Sequence, residues 1–220
     1  MQTVQTTVGA SKAQFAYGSD GRKLSEKAGT GGFEYLGSLI YAYRGGTLSL
    51  AQAVTDEGTI QSAGVNYFIR DHLGSVRAVV DHTGKIVERN DYYPFGGRHE
   101  NSALSLSATN RYKFGSKESL EPVSLDMLDF GARFYDPRIA RWNTQDPLAE
   151  KYFSLSPYNY CAGNPITLVD PTGMFMTDYF NLNGKKVRHV DDNKTDRYLV
   201  LTTSSQESIV DQTIEAGGMI

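Results

Sequence analysis

The chain has 220 residues, enough for one sizeable domain or two small ones with a real core. Its 22 Lys plus Arg against 25 Asp plus Glu leave a formal charge of −3, too even to point to nucleic acid or an anionic membrane as a partner. A single cysteine, Cys161, excludes an intrachain disulfide and any multi-cysteine metal site, and His72, His82, His99 and His189 lack ligand spacing, so no metal and no other cofactor is expected.

The first residues, MQTVQTTVGASKAQF, lack the charged start, apolar middle and cleavage site of a secretory signal, and no stretch approaches the roughly 18 apolar residues of a membrane-spanning helix. On its own the chain reads as soluble. The 22 Gly, 14 Tyr and 10 Phe combine aromatic β-formers with residues that supply positive φ, which predicts a turn-rich, mainly β protein of antiparallel hairpins.

Residues 1–128 read as a β-hairpin region. Its clearest stretch, Tyr67 to Gly96, predicts three strands near 65–71, 75–81 and 85–93, joined at Leu73-Gly74-Ser75 and His82-Thr83-Gly84-Lys85 and stopped by Pro94 and Gly96. A turn glycine followed by a basic residue recurs at Gly21-Arg22, Gly84-Lys85 and Gly184-Lys185, and Phe-Gly recurs at Phe95-Gly96, Phe114-Gly115 and Phe130-Gly131. The separations are unequal, so this is a shared hairpin vocabulary and not a strict solenoid period. Residues 97–110 are polar and small and predict a loop, and Ser116 to Pro122 predicts a second irregular region.

From Asp129 the texture changes. Pro137, Pro147, Pro157, Pro165 and Pro171 exclude long helices and central strands from residues 129–174, which predicts an ordered plug built from turns. Phe134, Tyr135, Trp142, Tyr152, Phe153, Tyr158 and Tyr160 would pack it, core packing being favoured over a sugar-binding aromatic platform. Cys161 is expected to be a small buried residue. Residues 175–220 read as a small α+β tail: a hairpin in TDYFNLNGKKVRHV, a strand in DRYLVLTT, and a helix opened by Ser204-x-x-Glu207 and stopped at Gly217-Gly218. No catalytic constellation stands out there, and Asn193-Lys194-Thr195 is a short glycosylation-type match of little weight.

Three Asp-Pro steps occur, at Asp136, Asp146 and Asp170, and each proline holds the preceding aspartate in an extended conformation at a turn. The last belongs to a longer pattern, Pro-x-x-x-x-Asp-Pro-x-Gly-Met, running from Pro165 through Pro171 and Gly173 to Met174. With GARFYDPRIARW, DPLAEKY, SPYNYCAGNP and VDPTGM, and with DHLGSVRAVVD and DYYPFG upstream, residues 15–190 resemble the carboxy-terminal end of Rhs/YD-repeat proteins, the RHS repeat-associated core. That family includes bacterial polymorphic toxins and the C subunits of insecticidal toxin complexes.

The resemblance implies a β-sheet wound into a hollow shell whose end folds inward and cuts itself after the terminal motif. It places the two catalytic aspartates on Asp146 and Asp170, the assisting arginine on Arg133, and the cut between Met174 and Phe175. It implies a single-turnover aspartate autoprotease, with the segment from 175 onward as cargo, upstream repeats as the rest of the shell, and an extracellular or cell-surface setting. Two departures stand out: Asp146 lacks the glycine that often completes its motif, and Met174 stands where leucine is commoner. Two carboxylates held close do not both ionise cheaply, so one acts as acid and the other activates water, while a guanidinium orients or stabilises charge.

Three alternatives stand beside this reading. Arg133 has a structural role open to it, bridging Asp129 or Asp136. The whole chain has a non-enzymatic role open to it, as an encapsulating or adhesive β module whose aspartates only brace turns. The tail has a third, as an effector in its own right.

Overall fold

The computed structural model describes residues 2–8, 11–19, 21–99, 110–120, 126–151, 154–174, 179–180 and 186–188. Ten strands follow one another: β1 (Gln2–Val8), β2 (Ser11–Tyr17), β3 (Lys23–Ala28), β4 (Gly31–Leu36), β5 (Leu39–Arg44), β6 (Thr47–Thr55), β7 (Gly58–Gln61), β8 (Gly64–Arg70), β9 (Val76–Asp81) and β10 (Ile86–Arg89). Each pairs antiparallel with its chain neighbours, so the sheet is one uninterrupted meander from β1 to β10.

Turn chemistry sets its registers. Between β5 and β6 the paired residues Arg44 and Thr47 leave only Gly45 and Gly46, with φ of +55° and +88°, as a two-residue turn of the mirror-image kind needs. The two longer connections share one design. Asp71 Oδ1 accepts the N–H of Leu73 and of Ser75, and Asp81 Oδ1 accepts the N–H of Thr83 and of Lys85. The expected strands of the Tyr67–Gly96 stretch are therefore present as β8, β9 and β10, with turns where Gly74 and Gly84 predict them. The third ends at Arg89 and not at residue 93, because Asn90 turns inward to donate from Nδ2 to Val76 O and Glu88 Oε1.

One face of the sheet is buried through Ala13, Phe15, Tyr17, Ile40, Phe68, Val76 and Val79, while Leu48, Leu50, Ile60, Tyr67 and Ile69 stay exposed. Against β2 sits a second sheet of β11 (Glu118–Ser119), β12 (Leu128–Asp129), β13 (Phe134–Asp136) and β14 (Arg141–Trp142). Phe15 and Phe134 meet edge to face at 5.1 Å, with Leu120 beside them. The Ser116–Pro122 region is thus not wholly irregular, since it holds β11.

Behind this sheet Phe114, Leu128, Phe130, Tyr135, Trp142, Tyr160, Cys161 and Leu168 form the largest core, in which Tyr135 and Tyr160 lie 4.3 Å apart. The expected packing by Phe134, Tyr135, Trp142 and Tyr160 is found, Tyr158 is only partly buried, and Tyr152 and Phe153 lie outside the described residues. Pro137 ends β13 after three residues, so proline shortens the strands here and does not exclude them. The predicted tail hairpin pairs β15 (Tyr179–Phe180) with β16 (Lys186–Arg188). The expected later strand and helix, and most of the expected 97–110 loop, lie outside the described residues.

Buried ions join the two sheets. Lys23 Nζ, at the start of β3, lies 2.7 Å from Glu26, 2.9 Å from Glu118 and 3.1 Å from Asp129. Arg111 Nη2 lies 2.7 Å from Glu26, and Arg111 Nη1 lies 3.3 Å from Glu118. Tyr17 and Tyr35 donate their hydroxyls to Asp129 and Glu118, so the carboxylates are hydrogen-bonded as well as paired.

Candidate functional site

All three Asp-Pro steps fold the same way, with the aspartate Oδ1 accepting the backbone N–H two residues on: Arg138 at 2.9 Å, Leu148 at 2.8 Å and Thr172 at 3.2 Å. What separates them is where the other carboxylate oxygen goes. Asp136 Oδ2 accepts, at 2.8 Å, from Arg138, whose side chain is exposed. Asp146 Oδ2 and Asp170 Oδ2 both accept from Arg133 Nη2, at 2.9 Å and 3.3 Å.

Arg133 stands at the mouth of β13, its side chain 1% exposed. Every nitrogen of its planar fork donates: Nε to Gly173 O, Nη1 to Pro157 O at 3.2 Å, and Nη2 to the two aspartates. The guanidinium carbon lies 4.2 Å from the centre of the Trp142 ring, which fixes its plane. Burial lowers the Arg133 pKa, and the charges of Asp146 and Asp170 work against that shift. The alternative bridge from Arg133 to Asp129 or Asp136 does not form. Asp129 is taken by Lys23 and Tyr17, and Asp136 by Arg138.

Asp170 is the more deeply set carboxylate. Its Oδ1 gathers three successive N–H groups, from Thr172 at 3.2 Å, Gly173 at 2.7 Å and Met174 at 3.1 Å. This turn requires Gly173, whose φ is +75° and whose absent Cβ would lie 3.2 Å from Arg133 N. Burial pushes the Asp170 carboxyl up to about 6, against the downward pull of Arg133 and of those three donors. Lys117, half-buried nearby, donates from Nζ to Pro171 O at 2.6 Å and braces the same turn.

A small cavity of about 20 Å³ lies between the carboxylates, lined by Arg133, Asp146, Asp170, Ser156, Pro157 and Asn159, with Ala149 and Leu155. A space of that size holds about one water molecule, and its lining offers the polar partners that water needs. The strip 156–159 is fixed alongside β14 by Trp142 N–H to Tyr158 O at 3.1 Å, by Asp146 N–H to Pro157 O at 3.0 Å and by the bridge between Arg141 and Asn159. The arrangement is that of two unequal carboxylates, one guanidinium and room for water.

Of the residues singled out in the sequence, Arg133, Asp146, Asp170, Pro171, Gly173 and Met174 come together here, and Phe175 lies outside the described residues. Pro165 closes the Asn164 turn, in which Thr167 and Leu168 donate to Asn164 O, and it does not line the cavity. Cys161 is buried and free, as expected, and burial raises its thiol pKa well above the usual value. Lys117 and Asn159 carried no local signal. Among the described residues no cluster of three His, Cys, Asp or Glu is placed to hold a metal, and no helix is long and apolar enough to cross a membrane.

The family model for the Teneurin YD-shell matches residues 54–160, which include Arg133, Asp146 and Asn159 and stop short of Asp170. Salivary gland surface protein 1 of Aedes aegypti is 36% identical over 103 residues, covering 47% of this chain and 3% of that protein. Toxin subunit YenC2 of Yersinia entomophaga is 33% identical over 104 residues, covering 47% of this chain and 10% of that protein. Among solved structures, the TcdB2-TccC3-TEV crystal structure superposes with a TM-score of 0.64 at 21% identity, covering 79% of this chain and 10% of the other. The chain therefore spans about a tenth or less of the length of these relatives.

Proposed function

The chain belongs with the Rhs/YD-repeat shell proteins, and from that premise we propose that it ends the shell with a segment that cuts its own Met174-Phe175 bond. The observation that carries this reading is the single guanidinium nitrogen of Arg133 shared by Asp146 and Asp170 beside a water-sized cavity. Carboxylates on turns fixed by their own N–H donors are preorganised, which removes reorganisation cost from a reaction step.

The two aspartates take different roles because their surroundings differ. Asp170, pushed up to about 6, supplies the acid; Asp146, more open at its rim, supplies the base. Asp146 takes a proton from water as the oxygen attacks the Met174 carbonyl carbon. The proton of Asp170 passes to the Phe175 nitrogen as the C–N bond breaks, leaving a new carboxyl at Met174 and a new amine at Phe175. One water is consumed and each chain is cut once.

The segment from 175 onward is then cargo of the shell formed with upstream repeats. A toxin-type role in an extracellular setting follows from the relatives named as toxin subunits. The alternative is an encapsulating or adhesive module in which the aspartates serve only as turn braces, favoured by the backbone N–H bonds that every one of them accepts.

Intact mass separates the two. The chain, tagged at both ends and expressed with and without its upstream repeats, should yield a fragment ending at Met174, absent from D146N and D170N. A wild type that stays whole in both settings removes the cutting reading and leaves the structural one.

A further inference from the structure

Asn159 lines the cavity between the two aspartates, and its Oδ1 is buried without a hydrogen-bond partner among the described residues. A buried amide oxygen left unpaired costs on the order of 1–3 kcal/mol, so such an atom on a residue that lines a polar cavity calls for a ligand. The cavity admits one the size of water. The backbone around it is pinned, since Asn159 N–H donates to Ser156 O at 2.9 Å, the residue bridges to Arg141, and the neighbouring Pro157 O accepts from Arg133.

Resting on the self-cleavage reading, we propose that Asn159 is a third catalytic residue, whose side-chain amide holds the attacking water against Asp146. A water between these groups gives one hydrogen to the Asp146 carboxylate and the other to Asn159 Oδ1. With both hydrogens engaged, its lone pairs are held in fixed directions, and loss of the first proton to Asp146 frees a directed nucleophile. A carboxylate alone binds such a water through one hydrogen and leaves it free to swing, so the amide contributes orientation and Asp146 contributes basicity.

Other features of the molecule are spoken for. The Lys23, Glu26, Arg111, Glu118 and Asp129 cluster is held together by its own ion pairs, and Cys161 is walled in by Tyr160 and the Asp170 backbone.

The test follows cutting of the complete parent chain after pulse-labelled synthesis, across pH, for wild type, D170N, N159A and the isosteric N159D. N159A should cut about 100-fold more slowly, the usual penalty for removing one catalytic hydrogen-bonding group, with an unchanged unfolding temperature. N159D should move the pH–rate profile upward, because a third carboxylate disfavours ionisation of the other two. N159A cutting at the wild-type rate while D170N stays whole overturns the role of Asn159 and leaves the aspartate mechanism standing. Should N159A fail to fold, N159D decides, and an unshifted profile overturns the proposal. A wild type that never cuts overturns both readings.

Discussion

Arg133 Nη2 lies 3.3 Å from Asp170 Oδ2, with side-chain exposures of 1% and 2%. Both ions have left water for this contact, so neither is replaceable alone. Arg133→Met strands Asp170 as an unpaired buried charge and should lower unfolding free energy by about 3–5 kcal/mol in urea titrations. Arg133→Lys keeps the charge, but a point ammonium does not reproduce a fork that serves Gly173 O, Pro157 O and two carboxylates, so it should recover only part of that loss. Equal urea midpoints for wild type and R133M would show that the bridge contributes nothing.

Asp170 should also write its signature on the pH dependence of stability. Its folded carboxyl holds a proton up to about 6, while the ordinary value is 3.8. Between these values the native state binds more protons than the unfolded one, so this contribution is full at low pH and is lost as pH rises through about 6. At 1.36 kcal/mol per pKa unit, wild type should lose about 2 kcal/mol relative to D170N between roughly pH 4 and pH 7. In the proposed mechanism, where Asp170 is the acid, cutting should slow over the same upper range. Parallel stability curves for the two proteins would sink this account of Asp170.

Local rules explain what was legible in the sequence. Gly74, Gly84 and the Asp-Pro steps act within a few residues of themselves, and their turns lie where they predict them. Strands β3 to β7 escaped notice because polar and small residues such as Ser25, Gly32 and Gln52 dilute their alternation, and meander pairing forms them nonetheless. The ion cluster joins Glu26 to Arg111 and Lys23 to Glu118, partners far apart in sequence, and no spacing rule reaches that far. At the site, motif spacing marked Asp170, and the family resemblance placed Asp146 and Arg133 with it. Asn159 and Lys117 look like any other polar turn residue until the chain is folded.

That cluster titrates in the opposite sense to Asp170. Burial alone would raise the Glu26 pKa, but Lys23 and Arg111 outweigh it and hold the carboxyl below its ordinary value of 4.5. Its stabilisation is therefore present at neutral pH and lost as pH falls through the depressed value. Glu26→Gln keeps the shape and removes the charge facing Lys23 and Arg111, and should cost about 3 kcal/mol near pH 7. The gap to wild type should close on acidification. A gap that stays constant down to acid unfolding would mean that Glu26 acts there through packing and not through charge.

Gly173 offers a test of the turn itself. Its φ of +75° disfavours any side chain, and an added Cβ would press on Arg133 N and Phe130 Cβ at 3.2 Å. The left-handed conformation costs an alanine roughly 1–2 kcal/mol, and those neighbours, one of them backbone, have little room to give. Gly173→Ala should therefore destabilise by about 1–3 kcal/mol and slow the proposed cut, because the same turn aims three N–H groups at Asp170 and offers Gly173 O to Arg133. Ala140 supplies the control: it sits at φ +57° outside the site, so Ala140→Gly should relieve strain by up to about 1 kcal/mol and leave cutting unchanged. Gly173→Ala with native stability and native cutting would show that the turn tolerates a side chain, and that Gly173 owes its place to something other than backbone geometry.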